Sequence, residues 1–100
     1  MWKILEKKYV VEMPNGERWS VPVSVIAEDR AKDYAHEFGG DVTKSVMEDT
    51  APLFTDDNFE IEDWAKNNMN WADVMSSAKL ITTGSTDYED GWCNGEVEIL

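Results

Sequence analysis

Asn15-Gly16 stands between two stretches of strand-forming residues, and this arrangement constrains the fold more than any other feature of the chain. Both residues of an Asn-Gly pair accept the positive φ of a tight hairpin turn. Before the pair, residues 2–13 carry Tyr9, Val10 and Val11, which favour extended backbone. After it, residues 18–23 place Trp19, Val21 and Val23 on one face and Arg18 and Ser20 on the other. An antiparallel hairpin is predicted, with Pro22 at an edge or at the end of its strand. The pair returns at Asn94-Gly95, after a strand-like run at residues 78–83 and before the alternating Glu96-Val97-Glu98-Ile99-Leu100. A strand reaching Leu100 is expected to tie that end of the chain into the sheet. Asn-Gly-Glu occurs both times as shared turn chemistry; the flanking residues do not match as a repeat.

Between the two hairpin signals the period changes to that of helices. Ala27, Ala31, Tyr34, Ala35 and Phe38 form one helical stripe. Ser24 is a candidate cap for its start, and Gly39-Gly40 a stop. Glu28, Asp29, Arg30, Lys32, Asp33 and Glu37 fall on its exposed side. Asp41 reads as the N-cap of a second helix to about Thr50, with Val42, Val46 and Met47 inward and Pro52 ending it. A third helix starts near Asp57 or Asn58, where Asp57 and Glu60 have capping-box spacing. Ile61, Trp64 and Ala65 form its apolar face, Asn67-Asn68 its end, and Asn70 to Val74 one further turn. The order predicts a single α+β domain over residues 1–100: an antiparallel sheet from N- and C-terminal hairpins, with two to three helices packed on one face.

The run Asn58-Phe59-Glu60-Ile61-Glu62-Asp63-Trp64-Ala65-Lys66-Asn67-Asn68-Met69-Asn70-Trp71-Ala72-Asp73-Val74 resembles a segment of small uncharacterised proteins of tailed phages. The hairpin-to-helix stretch from Val10 to Ile26 is similar to the start of those proteins. The resemblance covers most of the chain. It implies a phage or prophage origin and a cytoplasmic setting in an infected cell, and it brings no catalytic or binding residue with it.

Charge narrows the partners. The net charge is −12, and it is unevenly spread: residues 33–100 hold three Lys/Arg against sixteen Asp/Glu, or −13, whereas residues 1–32 hold six against five, or +1. Such a surface repels nucleic-acid phosphates and anionic membranes, and it attracts basic protein surfaces. The neighbours of the tryptophans are mainly acids or amides (Asp63 before Trp64, Asn70 before Trp71, with Gly91 before Trp92), unlike the basic interleaving of single-strand binders. Lys3, Lys7 and Lys8 read as protection for a strand edge. An aromatic fraction of 11% and a hydrophobic fraction of 42% are those of a folded chain. No apolar run is long enough for a membrane span, and Met1 to Lys8 has no signal-peptide core. The single cysteine, Cys93, gives no internal disulfide and points to a reducing compartment.

Specific chemistry is not legible. The acidic stretch from Asp56 to Asp63 fails a calcium-loop template, with Ile61 in place of the turn glycine and Asn67 in place of the final Glu. One cysteine and one histidine, Cys93 and His36, cannot build a zinc site. His36 falls off the apolar stripe and is expected on the surface. Ser76, Ser77 and Ser85 have no nucleophile elbow, and Gly39-Gly40 is no phosphate loop. The expectation is a non-enzymatic binding protein that needs neither metal nor cofactor. Its partner would be a basic host protein surface, met by Glu48, Asp49, Asp56, Asp57, Glu60, Glu62 and Asp63, with carboxylates imitating nucleic-acid phosphates and inhibiting the target. The alternative is a structural or accessory phage module, forming homo-oligomers through exposed tryptophans and sheet edges.

Overall fold

In the computed structural model, which describes residues 2–12, 17–81, 92 and 97–100, the N-terminal strands pair as predicted. β1 (Lys8–Glu12) and β2 (Arg18–Pro22) run antiparallel, with Tyr9 opposite Val21 and Val11 opposite Trp19. A two-residue turn at Asn15-Gly16 would set Glu12 against Trp19; the observed partner is Arg18. The pleat explains the register. A slip of one residue would put Val11 opposite Ser20 and separate the apolar faces of the two strands. Residues 13–16, and the turn type expected there, lie outside the described residues.

Residues 2–7 do not extend β1. Lys3–Glu6 forms a 3₁₀ turn, closed by Leu5 N–H to Trp2 O at 3.2 Å and Lys7 N–H to Ile4 O at 3.2 Å. Strand alternation would have sent Ile4 and Leu5 to opposite faces; the turn lets Ile4 join the core with Trp2 and Leu5 packed against it.

β3 (Lys79–Leu80) and β4 (Val97–Ile99) complete a four-stranded antiparallel sheet in the order β3-β2-β1-β4. The expected C-terminal hairpin is therefore corrected: these two strands flank the N-terminal hairpin on opposite sides, β3 on β2 and β4 on β1. Asn94-Gly95 lies outside the described residues. β1 is interior, so its lysine guards no edge, and Lys3 and Lys7 are on no strand. Lys8 N–H to Leu100 O at 2.7 Å and Leu100 N–H to Lys8 O at 2.9 Å tie the last residue into the sheet, as predicted.

α1 (Val23–Tyr34) starts one residue before Ser24, with Pro22 at the cap position, so Ser24 is an exposed first-turn residue and no cap. The expected stripe is buried at Ala27, Ala31 and Ala35, with Val23 and Ile26 added. The last turn, Ala35–Phe38, tightens to 3₁₀ and stops at Gly39 and Gly40, whose φ values of 66° and 85° are the left-handed region that glycine tolerates. Asp41 caps α2 (Val42–Ser45), its Oδ1 accepting from Lys44 N–H at 3.0 Å.

The second helix does not end at Pro52. A π-turn over Val46–Thr50 carries it into α3 (Ala51–Asp56), with Ala51 N–H donating to Val46 O. A proline in regular helix loses a bond to the fourth preceding carbonyl and clashes with it; the wider turn just before Pro52 relieves that conflict. The π-turn also changes the inward residues. Ser45, Thr50 and Ala51 are fully buried, whereas Met47, expected inside, is 39% exposed. α4 (Phe59–Asn68) begins as predicted, with Asp57 Oδ1 accepting from Phe59 N–H at 3.0 Å, and ends at Asn68. α5 (Trp71–Val74) holds a full capping box between Asn70 and Asp73.

One hydrophobic cluster joins the sheet face of Tyr9, Val11 and Val21 to Ile26, Phe54, Ile61 and Val74 from the helices. Trp92 plugs it. Its ring lies 5.2 Å from Tyr9 and 6.3 Å from Trp71, and its indole N–H donates to Ala65 O at 3.0 Å and Met69 O at 3.2 Å. Ala65 O also accepts from Met69 N–H at 3.3 Å where α4 closes, so the indole adds a second donor to the end of the helix and is itself satisfied.

Candidate functional site: an acidic groove

Side chains at successive turns of one helix lie above one another, so α1 presents Val25, Glu28, Asp29, Lys32 and Asp33 along one side. α4 packs beside it and contributes Trp64 and Asn68; the chain that follows contributes Met69 and Asp73. The result is a groove of two adjoining hollows, of about 410 Å³ and 190 Å³, which share Asp29 and Lys32. Among the described residues four carboxylates line it (Glu28, Asp29, Asp33 and Asp73) against one lysine, Lys32, which already meets Glu28 at 3.6 Å.

Trp64 forms the aromatic wall. Its Nε1–H donates to Asp29 Oδ2 at 2.9 Å, which fixes the half-buried ring and joins the two helices. Behind it, Tyr34 lies 6.2 Å away between ring centres, and the Arg30 guanidinium sits 4.4 Å over the Tyr34 ring. Arg30 Nη1 also donates to Asp49 Oδ2 at 2.9 Å and to Thr50 Oγ1 at 2.8 Å. The series Asp49, Arg30, Tyr34, Trp64, Asp29 thus links the π-turn to the groove, an ion pair at one end and a carboxylate at the other joined through two aromatic rings. Among the described residues no group of three or more His, Cys, Asp or Glu could hold a metal ion. The carboxylates are strung along the groove, an arrangement suited to an extended cation.

The seven residues picked from sequence do not form one free face. Asp49 is held by Arg30. Glu48 lies 4.0 Å from Lys44, and Glu62 lies 3.9 Å from Lys66. Glu62 also adds to the burial that pushes the Tyr9 hydroxyl above its ordinary pKa. Asp57 accepts from Phe59 N–H at the entry to α4, and Asp63 accepts from Asn67 Nδ2 at 3.0 Å. Asp56 is exposed at the end of α3. Glu60, four residues before Trp64, shares its side of α4, while Glu62 lies on the opposite flank. The groove acids on α1 appeared in the sequence only as the polar side of a helix; the signal that singles them out is Trp64 across from them, which a linear reading does not connect.

His36 is exposed, as expected, with Nδ1 3.2 Å from Asp33 O. Cys93, Ser85 and the acids Asp87, Glu89 and Asp90 lie outside the described residues. No described helix is long and apolar enough to cross a membrane.

No family model matches the chain, and no curated protein or solved structure matches it.

Proposed function

We propose that this protein binds a basic protein surface through the α1–α4 groove and acts by occupying that surface. The observation that carries this reading is the charge of the groove: beside the Glu28–Lys32 pair, three further carboxylates (Asp29, Asp33 and Asp73) and a fixed indole line the space. The overall charge of −12 steers a cationic partner toward it. Glu60, on the Trp64 side of α4, and the exposed Asp56 and Glu48 supply longer-range attraction. With the resemblance to small phage proteins, the reading becomes a cytoplasmic, non-enzymatic inhibitor of a host protein that ordinarily handles nucleic acid, its carboxylates taking the place of phosphates.

The test is the affinity of a dye-labelled hexa-lysine peptide measured by fluorescence anisotropy over a salt series. Binding that weakens as salt rises, and is lost when Asp29, Asp33 and Asp73 are replaced by Asn, supports the reading. Salt-independent binding, or binding unaffected by the three substitutions, refutes it.

A second reading, an assembly module, is favoured by one feature. Among the described strands β3 is a sheet edge, and Leu80 on it and Ile81 just after it are 42% and 51% exposed. Its other expected driver is missing, because all five tryptophans are buried or half-buried. Concentration-dependent self-association that persists in high salt would favour this reading over the first.

A further inference from the structure

We infer that the groove selects arginine over lysine, and that the face of Trp64 makes the selection. This rests on the groove being a site for a basic partner, and it names the side chain recognised. The fold contains its own example of the chemistry. On one flank of α1, Arg30 lies 4.4 Å over the Tyr34 ring while its Nη1 donates to Asp49 and Thr50. On the other flank the same components recur without a guanidinium: an aromatic wall, Trp64, beside the carboxylates of Asp29 and Asp33. Tyr34 stands between the two, 6.2 Å from Trp64, so an arginine entering the groove extends the series Arg30–Tyr34–Trp64 by one more cation.

Charge complementarity requires a cation, and the flat indole decides which one. A guanidinium is planar, weakly hydrated and able to stack on a ring while its edge donates to a carboxylate. An ammonium keeps its hydration and forms no such two-sided contact. The bond from Trp64 Nε1–H to Asp29 Oδ2 holds ring and carboxylate in fixed relation, leaving the other Asp29 oxygen to accept from the stacked guanidinium. Lys32, the one cation among the described lining residues, is paired with Glu28, which leaves Asp29, Asp33 and Asp73 to meet an incoming cation. The occupant is therefore an arginine-bearing segment of a basic protein.

The experiment compares dye-labelled hexa-arginine and hexa-lysine peptides at one salt concentration, on the wild-type protein and on Trp64→Leu and Asp33→Asn variants whose folding is checked by circular dichroism. Hexa-arginine is expected to bind at least fivefold tighter to the wild type. Trp64→Leu should bring it down to the hexa-lysine level, and Asp33→Asn should weaken both peptides alike. Equal wild-type affinities, or a preference that survives Trp64→Leu, overturn the inference while leaving a basic-partner site standing. Binding of neither peptide overturns both. Should Trp64→Leu fail to fold, the indole N–H resonance of Trp64 in the wild type decides: it shifts further with hexa-arginine than with hexa-lysine, and equal shifts overturn the inference.

Discussion

Trp64 on α4 donates its indole N–H to the carboxylate of Asp29 on α1, 2.9 Å away and 35 positions distant in the chain. This bond holds the two walls of the groove together and sets the orientation of its aromatic face. A hydrogen bond to a charged acceptor contributes more than a neutral one, and partial exposure reduces it. Trp64→Phe is expected to lower unfolding stability by about 1–2 kcal/mol, measured by urea denaturation. An unchanged midpoint would show that the bond does not couple the helices.

Arg30 has three partners: Asp49, Thr50 and the Tyr34 ring. Its side chain is only 12% exposed, and removing it leaves the buried Thr50 hydroxyl without that donor, while Asp49, 36% exposed, turns to water. Arg30→Ala should cost about 2–3 kcal/mol, and Arg30→Lys more than half of that, because an ammonium cannot bridge two acceptors and stack on a ring together. Full recovery by lysine in chemical denaturation would show that charge alone matters here.

Phe54 and Phe59 are separated by five positions and differ completely in environment. Phe54 is fully buried in the cluster, and Phe59 is 62% exposed at the start of α4. Phe54→Ala should destabilise by about 3–5 kcal/mol and Phe59→Ala by less than about 0.5 kcal/mol. Similar values in thermal or urea unfolding would contradict the packing described.

The Tyr9 hydroxyl is buried with no hydrogen-bond partner among the described residues, and burial, followed by the nearby Glu62 charge, raises its pKa well above the ordinary tyrosine value. The folded state therefore keeps the proton that the unfolded chain releases above about pH 10. The contribution is fully present below that pH and is lost as pH rises from there toward the higher folded-state pKa. Tyr9→Phe should fold at least as well at neutral pH, since it removes an unsatisfied hydroxyl. It should also lose stability less steeply above pH 10, as followed by urea unfolding across that range. Parallel pH curves for the two proteins would refute this account.

Local signals carried the sheet and the helix starts. Alternation at Trp19 and Val21, the glycine pair at 39–40, and Asp41 and Asp57 at helix entries each act within a few residues, and each stands where the sequence placed it. The departures came from contacts distant in sequence. Pro52 reads as a helix end until a π-turn accommodates it, and that turn moves Met47 outward. Strand pairing is another such case, because nothing in residues 78–100 tells β3 and β4 to seek opposite sides of the first hairpin rather than each other. The groove was hidden for the same reason. Its acids belong to α1 and its aromatic wall to α4, and only their packing brings Asp29 to Trp64.

The most direct test of the central claim is a two-dimensional ¹⁵N–¹H NMR titration of the labelled protein with hexa-arginine at low salt. Binding in the groove predicts that the largest shift changes fall on Asp29, Lys32, Asp33, Trp64 and Asn68 and fade as salt is added. Changes centred instead on Glu48, Asp56 and Asp57, or spread evenly over the acidic surface, would contradict it.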